Sequence, residues 1–325
     1  MAKRIAIFAH WDRDNFIDEY VVYYLTELKK VADIVFVSDG NLSETELKKV
    51  SPLVLQSIAH EHGEYDFGSY KRGVLAINDK LNDYDELIFA NDSCYGPFFP
   101  FTETWKQMET VSCDYWGLFK HLDPTINIWH IQSYFIVFKK QVFTSPSFQN
   151  FMKNISIEQK KMDVILKYEV GLSDTLNQSG FKSAALCPPS TTNDTHSKKT
   201  CTLTLDHNLP LLKRSLLVSN PLRESRLSEV LSGLRNILIK HYPYKLIQNH
   251  LQRTAPKNYL NGWFHSDLIN ATFLHKKLIR MKEKSGKYFC YINIKIFGIS
   301  CLIFPSRFLI ERWKHERKNK NTFPF

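Results

Sequence analysis

Short apolar runs alternate with amphipathic segments along the first 90 residues of the chain. The apolar runs have the length of β-strands and occupy residues 4–9, 32–37, 56–61 and 86–90. The segments between them carry apolar side chains at helical spacing and occupy residues 16–30, 43–50 and 64–81. This alternation predicts an α/β fold in which a mostly parallel sheet is flanked by helices.

The pattern changes twice further along the chain. Residues 114–119, 131–138 and 181–187 predict three more strands, and residues 211–284 have a helical pattern interrupted by prolines. We therefore expect an α/β domain over residues 1–210, a C-terminal helical annex over 211–284 and a tail over 285–325.

The strand at residues 86–90 stops at the polar triplet Asn91-Asp92-Ser93. Ligands of open α/β sheets bind beyond the carboxyl ends of the strands, where this triplet is expected. A carboxylate such as Asp92 could hold a divalent cation that neutralises a diphosphate. The alternative is an Asx turn that only ends the strand.

Several functional classes are disfavoured by what the sequence lacks. It contains neither G-x-G-x-x-G nor a P-loop motif, which argues against a dinucleotide enzyme and a P-loop NTPase. The six cysteines show no C-x-x-C spacing and are interpreted as reduced thiols of a cytosolic protein. Residues 1–4 lead directly into a strand, so we expect a cytoplasmic protein without a signal peptide.

The positive charge is concentrated at the C-terminal end. Residues 276–325 carry 13 Lys and Arg against three Asp and Glu, a net charge of +10, whereas residues 1–275 are balanced. This distribution argues against a nucleic-acid partner for the main fold. Residues 288–325 are also apolar and aromatic, which suits peripheral binding to the anionic inner face of the cell membrane. The alternative is a β-hairpin and helix packed on the main domain.

Five segments together resemble the rhamnan synthesis protein F family of bacterial glycosyltransferases. They are HEHGEYDFGSYKRG (60–73), NDSCYGPF (91–98), DYWG (114–117), HIQSYF (130–135) and EVGLS (169–173). The resemblance extends over residues 3–220. It implies transfer of a sugar, with rhamnose as one candidate, from a nucleotide-sugar donor to a lipid-linked or polysaccharide acceptor of the cell surface.

The order of these motifs is also similar to that of inverting family-2 glycosyltransferases with a GT-A fold. The similarity implies a GT-A-like domain in which Asp39 contacts the nucleobase of the donor. It also implies that Glu169 is the general base of catalysis. The family's D-x-D motif is reduced to Asp92, the residue implied to bind Mg or Mn. The E-D pair of the family keeps only Glu169.

The residues expected to bind donor and acceptor follow from these motifs. The donor-binding set is Asp39, Asp66, Gly68, Ser69, Lys71, Arg72, Asn91, Asp92 and Ser93. The acceptor-binding set is Trp116, His130 and Gln132. Lys71 and Arg72 could instead be surface charges, Asp66 a helix cap and Trp116 a core residue.

Two other functions are open on the sequence. One is a sugar-phosphate transferase of capsule assembly that uses the same nucleotide site. The other is a non-catalytic module that binds glycans.

Overall fold

The computed structural model describes residues 2–123, 126–191, 199–218, 242–254, 278–284, 287–296 and 299–303. The chain divides into two compact units, Met1–Ala255 and Pro256–Phe325. Among the described residues, no helix combines the length and the apolar character needed to cross a bilayer.

The strands of the first unit follow the predicted apolar runs closely. They are β1 Arg4–His10, β2 Asp33–Ser38, β3 Gln56–Ala59, β4 Glu86–Asn91, β5 Cys94–Tyr95, β6 Tyr115–Gly117, β7 Lys120–Asp123, β8 Ile128–Ile131, β9 Phe135–Lys139, β10 Ser183–Ala185 and β11 Leu212–Lys213. Residues 131–138, predicted as one strand, are divided between β8 and β9 by a turn. The hairpin of β7 and β8 was not predicted.

In the described part of the chain, seven strands form the central sheet in the order β10-β6-β9-β4-β1-β2-β3. The pairs β4–β1, β1–β2, β2–β3 and β10–β6 are parallel, and β9 is antiparallel to β4 and β6. The predicted α/β class with a mostly parallel sheet flanked by helices is therefore confirmed. Strands β1 and β4 are buried almost throughout, as expected for central strands covered on both faces.

Helices cover the sheet between these strands. They are α1 Glu19–Leu28, α2 Glu44–Val50, α3 Tyr65–Ala76, α4 Phe101–Met108, α5 Lys140–Phe143, α6 Pro146–Lys153, α7 Lys161–Val164, α8 Gly171–Gln178, α9 Lys199–Asp206, α10 Arg214–Val218 and α11 Lys245–Thr254. A 3₁₀ turn at Asn78–Asp83 follows α3, and a π-helical turn at Ile165–Val170 joins α7 to α8.

The core on the α3 side of the sheet positions the turn between β8 and β9 against α3 and β4. The rings of Tyr70 on α3 and Phe89 on β4 are stacked with centroids 4.2 Å apart. The Tyr70 hydroxyl also donates a hydrogen bond to the carbonyl of Ser133, in the turn between β8 and β9, at 3.0 Å. One buried tyrosine therefore holds α3, β4 and this turn in fixed relation.

The C-terminal part departs from the helical annex expected over residues 211–284. Helices α10 and α11 agree with that pattern, but residues 212–213 form β11 and Leu278–Lys284 forms β12. In the second unit, β12 pairs antiparallel with β13, Lys287–Ile296, and β13 pairs with β14, Ile299–Ile303. Residues 304–325 of the predicted tail lie outside the described residues, and the domain limits remain a prediction.

Gly117 of β6 offers a test of this packing. A Cβ at Gly117 would lie 2.2 Å from Ile131 Cγ2 and 2.8 Å from the carbonyl oxygen of Phe135. Gly117→Ala should lower the free energy of unfolding by about 1–3 kcal/mol through overpacking, measured by urea denaturation.

Gly171→Ala is the matched control, because the nearest atom to a Cβ at Gly171 would be the carbonyl oxygen of Leu166 at 3.4 Å, an ordinary van der Waals distance. It should leave stability unchanged or raise it by about 0.5–1 kcal/mol through helix propensity. Equal losses in the two variants would contradict the packing argument.

Candidate active site

Asp92 is the buried carboxylate beyond the end of β4. Its backbone N–H donates to Ala9 O at 3.1 Å, and its carbonyl accepts from the Tyr20 hydroxyl at 2.9 Å. Its side-chain Oδ2 accepts from the backbone N–H of Trp11 at 3.2 Å and lies 3.8 Å from His10 Nε2. Burial holds the pKa of His10 below its ordinary value, against the opposing effect of the Asp92 charge. Asp92 therefore joins the carboxyl ends of β1 and β4, and its role in binding the donor remains a prediction from the sequence.

Asn91 links this strand end to α3. Its amide Nδ2 donates to Asp66 Oδ2 at 2.7 Å, and its Oδ1 accepts from the backbone N–H of Ser93 at 3.1 Å. Burial and then the neighbouring charge of Asp92 raise the pKa of Asp66 to about 6, and Lys213 acts in the opposite direction. A second carboxylate thus reaches the site from a helix, although the strand end itself carries only one.

Lys213 and Arg214 also reach this end of the sheet, and the sequence analysis missed both. Lys213 Nζ donates to Ser93 Oγ at 3.0 Å and lies 4.5 Å from the centroid of the Tyr134 ring. Arg214 donates to the Tyr20 hydroxyl and lies 3.7 Å from Asp92 Oδ1. The available signal was a Lys-Arg pair directly after the apolar run Leu209–Leu212, which was assigned to the helical annex.

Glu169 lies on the π-helical turn between α7 and α8, two residues before α8 begins at Gly171. Its Oε2 accepts from the backbone N–H of Ser133 at 2.7 Å and from the Ser133 hydroxyl. Its Oε1 lies 3.7 Å from Nε2 of His130, whose pKa burial lowers despite the Glu169 charge. The negative charge of Glu169 also contributes to the raised pKa of Asp66, the carboxylate bonded to Asn91. π-Helical turns are frequent at functional sites.

The loop between β3 and α3 is held by two of the predicted donor-binding residues. Asp39 Oδ1 accepts from the backbone N–H groups of His62 at 2.7 Å and Gly63 at 3.0 Å. His62 Nε2 lies 3.0 Å from Ser69 Oγ, and burial lowers the pKa of His62 to about 4. Asp39 and Ser69 therefore order the loop that leads into α3.

The first turns of α3 hold Gly68 and the two basic residues of the predicted donor set. Arg72 pairs with Glu64 and donates to the carbonyl of Gly68 at 3.0 Å. Lys71 Nζ donates to the carbonyl of Ile155 at 2.7 Å. The contacts shown for Lys71 thus tie α3 to the chain after α6 and do not bring it to Asp92.

The predicted acceptor residues do not form one group. Trp116 is buried and packs edge-on against Trp105 with centroids 5.4 Å apart, so its assignment to acceptor binding is replaced by a core role. His130 and Gln132 lie beside Glu169 and the Ser133 turn. Within the described residues, His130 Nδ1 and Gln132 Oε1 are buried polar atoms without a hydrogen-bond partner.

The loop from β1 to α1, which includes Trp11, is clamped from α11. Arg253 NH2 lies 2.5 Å from a carboxylate oxygen of Asp12 and 2.5 Å from one of Asp18, and its NH1 lies 3.2 Å from Asp14. Burial alone would raise the pKa of Asp12, but the hydrogen bonds from Arg253 outweigh it and lower that pKa. Trp11 itself is 54% exposed beside this clamp.

The surroundings of the Asp92 carboxylate oxygens do not favour the predicted divalent cation. Oδ2 already accepts the Trp11 N–H, and Oδ1 faces the guanidinium of Arg214. Over the part of the chain that the structure describes, no three His, Cys, Asp or Glu residues are grouped to hold a metal ion. Mg²⁺ and Mn²⁺ require oxygen ligands with free lone pairs, so a cation at Asp92 remains a prediction from the sequence.

The raised pKa of Asp66 predicts that the protein loses stability as the pH rises. This pKa is about 6 in the folded protein against an ordinary value of 3.8, so the folded state binds the proton more tightly. Stability should therefore fall as the pH rises through the window from about 4 to 6. Asp66→Asn should be more stable than wild type at pH 7 by about 1 kcal/mol or more, with the difference disappearing near pH 4.

Thermal denaturation at the two pH values measures this difference. Asp79→Asn, at an exposed position just after α3, is the matched control and should change stability little. A loss of stability in Asp66→Asn at pH 7 would show that the ionised carboxylate is stabilising and would contradict the prediction.

Comparison with known proteins supplies a family. The model of a family described as rhamnan synthesis protein F matches residues 34–295. The virulence protein VirA of Vibrio anguillarum is 27% identical over 206 residues, which cover 61% of this chain and 64% of VirA. The uncharacterized protein y4gN of Sinorhizobium fredii is 27% identical over 165 residues, 50% of this chain and 43% of y4gN. The chain thus spans less than two thirds of either relative.

Solved structures with more remote similarity include two sugar-related proteins. One, described as a nucleotide-diphospho-sugar transferase from Desulfovibrio desulfuricans G20, is 13% identical, covers 74% of this chain and 99% of its own, and has a TM-score of 0.37. The other is core-mannan synthase A from Aspergillus fumigatus in an Mn/GDP form, with 11% identity, coverage of 58% and 73%, and a TM-score of 0.33. TM-scores this low do not establish a shared chemistry.

Proposed function

The chain belongs to the rhamnan synthesis protein F family, and we propose that it is a glycosyltransferase that uses a nucleotide-sugar donor. The observation that carries the proposal is the pair of carboxylates Asp92 and Asp66 at the carboxyl ends of β1 and β4, with Glu169 hydrogen-bonded to Ser133 in the turn that leads into β9. Such strand ends bind ligands in open α/β sheets, and carboxylates there can act on an acceptor hydroxyl. The family name, rhamnan synthesis protein F, supports rhamnose as the sugar. The acceptor in this proposal is a cell-surface polysaccharide or lipopolysaccharide.

In the proposed reaction, the acceptor hydroxyl oxygen attacks the anomeric carbon of the donor. The new C–O bond forms as the bond from that carbon to the diphosphate breaks, and the nucleoside diphosphate leaves with the electron pair. The acceptor proton passes to Glu169, which is the general base of an inverting transfer. Ser133 holds this carboxylate by two hydrogen bonds, and His130 lies 3.7 Å from its other oxygen.

The donor would lie between the two loops that follow β1 and β3. Asp39 and Ser69 order one of these loops, and Gly68 and Arg72 lie in the first turns of α3 beside it. Asn91, Asp92 and Ser93 lie at the end of β4, and Asn91 bonds to Asp66 of α3. This placement supports the donor-binding assignment for these residues, with Lys71 left in a packing role.

A screen of nucleotide sugars tests the function directly. Hydrolysis of one donor, or a rise of the melting temperature with one donor, supports the proposal. Release of a nucleoside monophosphate with a phosphodiester product would instead identify a sugar-phosphate transferase. Binding of glycans without any interaction with nucleotide sugars would identify a binding module.

Glu169→Gln tests the catalytic base. The amide keeps the shape of the side chain and removes its basicity, so transfer should slow by about 100-fold or more while donor affinity is retained. The measurement is the transfer rate at saturating donor together with the donor Kd. Glu44→Gln, at an exposed position on α2, is the matched control and should keep the wild-type rate. Loss of donor affinity with the rate intact would move Glu169 to a binding role.

We also propose that the tail over residues 285–325 binds the enzyme peripherally to the inner face of the cell membrane. Its basic residues, part of the net charge of +10 over residues 276–325, are interleaved with apolar and aromatic side chains. Each basic residue near an anionic surface contributes about 1 kcal/mol. The full chain should therefore co-sediment with vesicles that contain anionic lipid, and this binding should be lost in high salt. It should not co-sediment with neutral vesicles. Equal binding to both vesicle types, or to neither, would show that the segment has a structural role.

A further inference from the structure

The positive charges beside Asp92 are arranged unequally. Arg214 is engaged on two sides, by the Tyr20 hydroxyl and by the Asp92 carboxylate 3.7 Å away. Among the described residues, Lys213 makes a single side-chain hydrogen bond, to Ser93 Oγ, and it packs over the Tyr134 ring. Among the ion pairs formed by described residues, Lys213 has no carboxylate partner within 4.0 Å. An ammonium group carries three N–H donors, so two of those of Lys213 are available to a ligand.

The position of Lys213 is set by backbone pairing. Strand β11 pairs antiparallel with β5, with Lys213 opposite Cys94. The backbone N–H of Arg214 donates to the carbonyl of Ser93 at 2.8 Å, and the N–H of Phe98 donates to the carbonyl of Pro210 at 2.8 Å. Lys213 is therefore fixed at the end of β4 by main-chain hydrogen bonds, as a binding residue requires.

We propose that Lys213, with Arg214 behind it, binds the diphosphate of the donor in place of a divalent cation. The inference rests on the proposed function, because it concerns the same nucleotide-sugar site. The inference rests on the possible metal ligands as well as on the two basic residues. Each carboxylate oxygen of Asp92 already has a hydrogen-bond donor or a cationic side chain beside it. Asn91 presents an amide where the D-x-D motif has its first carboxylate, and its oxygen already accepts from Ser93.

The remaining carboxylates are compatible with this assignment. Arg214 compensates the charge of Asp92. Asp66 is bonded to the Asn91 amide, and its already raised pKa means that an incoming diphosphate would readily shift it to the neutral form. Glu169 is held on the opposite side by Ser133 and His130. Within the described part of the site, Lys213 is then the basic residue without a carboxylate partner that a diphosphate meets.

The test is calorimetric binding of nucleoside diphosphates (UDP, GDP and dTDP) to the full chain, in EDTA and again with Mg²⁺ or Mn²⁺. Wild-type protein should bind one of them in EDTA, with an affinity that the metal changes less than about threefold. Lys213→Gln keeps a donor for Ser93 and removes the charge, so its Kd should rise by about 10- to 100-fold, the loss typical of one charged hydrogen-bonding group. Lys213→Arg should recover part of the affinity, because it restores the charge.

Lys106→Gln, at an exposed position on α4, is the matched control and should bind like wild type. Equal melting temperatures of the three variants would show that each is folded. Binding that requires metal and is unaffected by Lys213→Gln would overturn the inference and leave the glycosyltransferase proposal standing. No binding of any nucleoside diphosphate in either condition would overturn both.

Discussion

The compensation of one buried carboxylate, Asp92, is the constraint on which the rest of the site depends. A carboxylate removed from water is stable only when donors or opposite charge replace its hydration. Here the replacement comes from the backbone of Trp11, from Arg214 and from the neighbourhood of His10, while the main chain of Asp92 binds Ala9 and Tyr20. Satisfying this group therefore brings together β1, α1, β4 and α10, which are the elements that enclose the proposed donor site.

A second set of contacts relates the proposed base to that site. Tyr70 stacks on Phe89 in the core and donates to the carbonyl of Ser133. Ser133 in turn holds both a backbone and a hydroxyl donor against Glu169. Because the stacking is buried and the hydrogen bonds are short, the carboxylate of Glu169 is positioned by the core and not by a mobile loop. A preorganised base of this kind loses little entropy when the acceptor hydroxyl arrives.

In the described part of the first unit, acidic side chains near the proposed site are paired with arginine side chains. Acidic side chains lie around the loop from β1 to α1, where Arg253 bonds to Asp12, Asp14 and Asp18. Without that guanidinium, three like charges would repel one another and an approaching diphosphate. Arg253 and Arg214 therefore neutralise the acidic residues that shape the site, and Lys213 keeps its charge for a ligand. The excess of basic residues at 276–325 is separate and suits a surface.

The sequence by itself determined the strands β1 to β4, their parallel order and the polar ends of β4 and β2, because apolar periodicity and strand-end polarity are local properties. The Ser43 cap of α2 is local in the same sense, since the Ser43 hydroxyl accepts from the backbone N–H of Glu46 at 3.3 Å. The Glu46 carboxylate accepts from Lys49 Nζ on the same helix and from the backbone N–H of Ile17 in another loop, each at 2.6 Å, and no local rule gives the contact with Ile17. For the same reason only the tertiary structure placed Lys213 and Arg214 beside Asp92, returned Lys71 and Trp116 to packing roles, and put Glu169 on a π-helical turn. Contacts between residues more than 100 positions apart depend on how strands and helices pack, and no pattern along the chain encodes them.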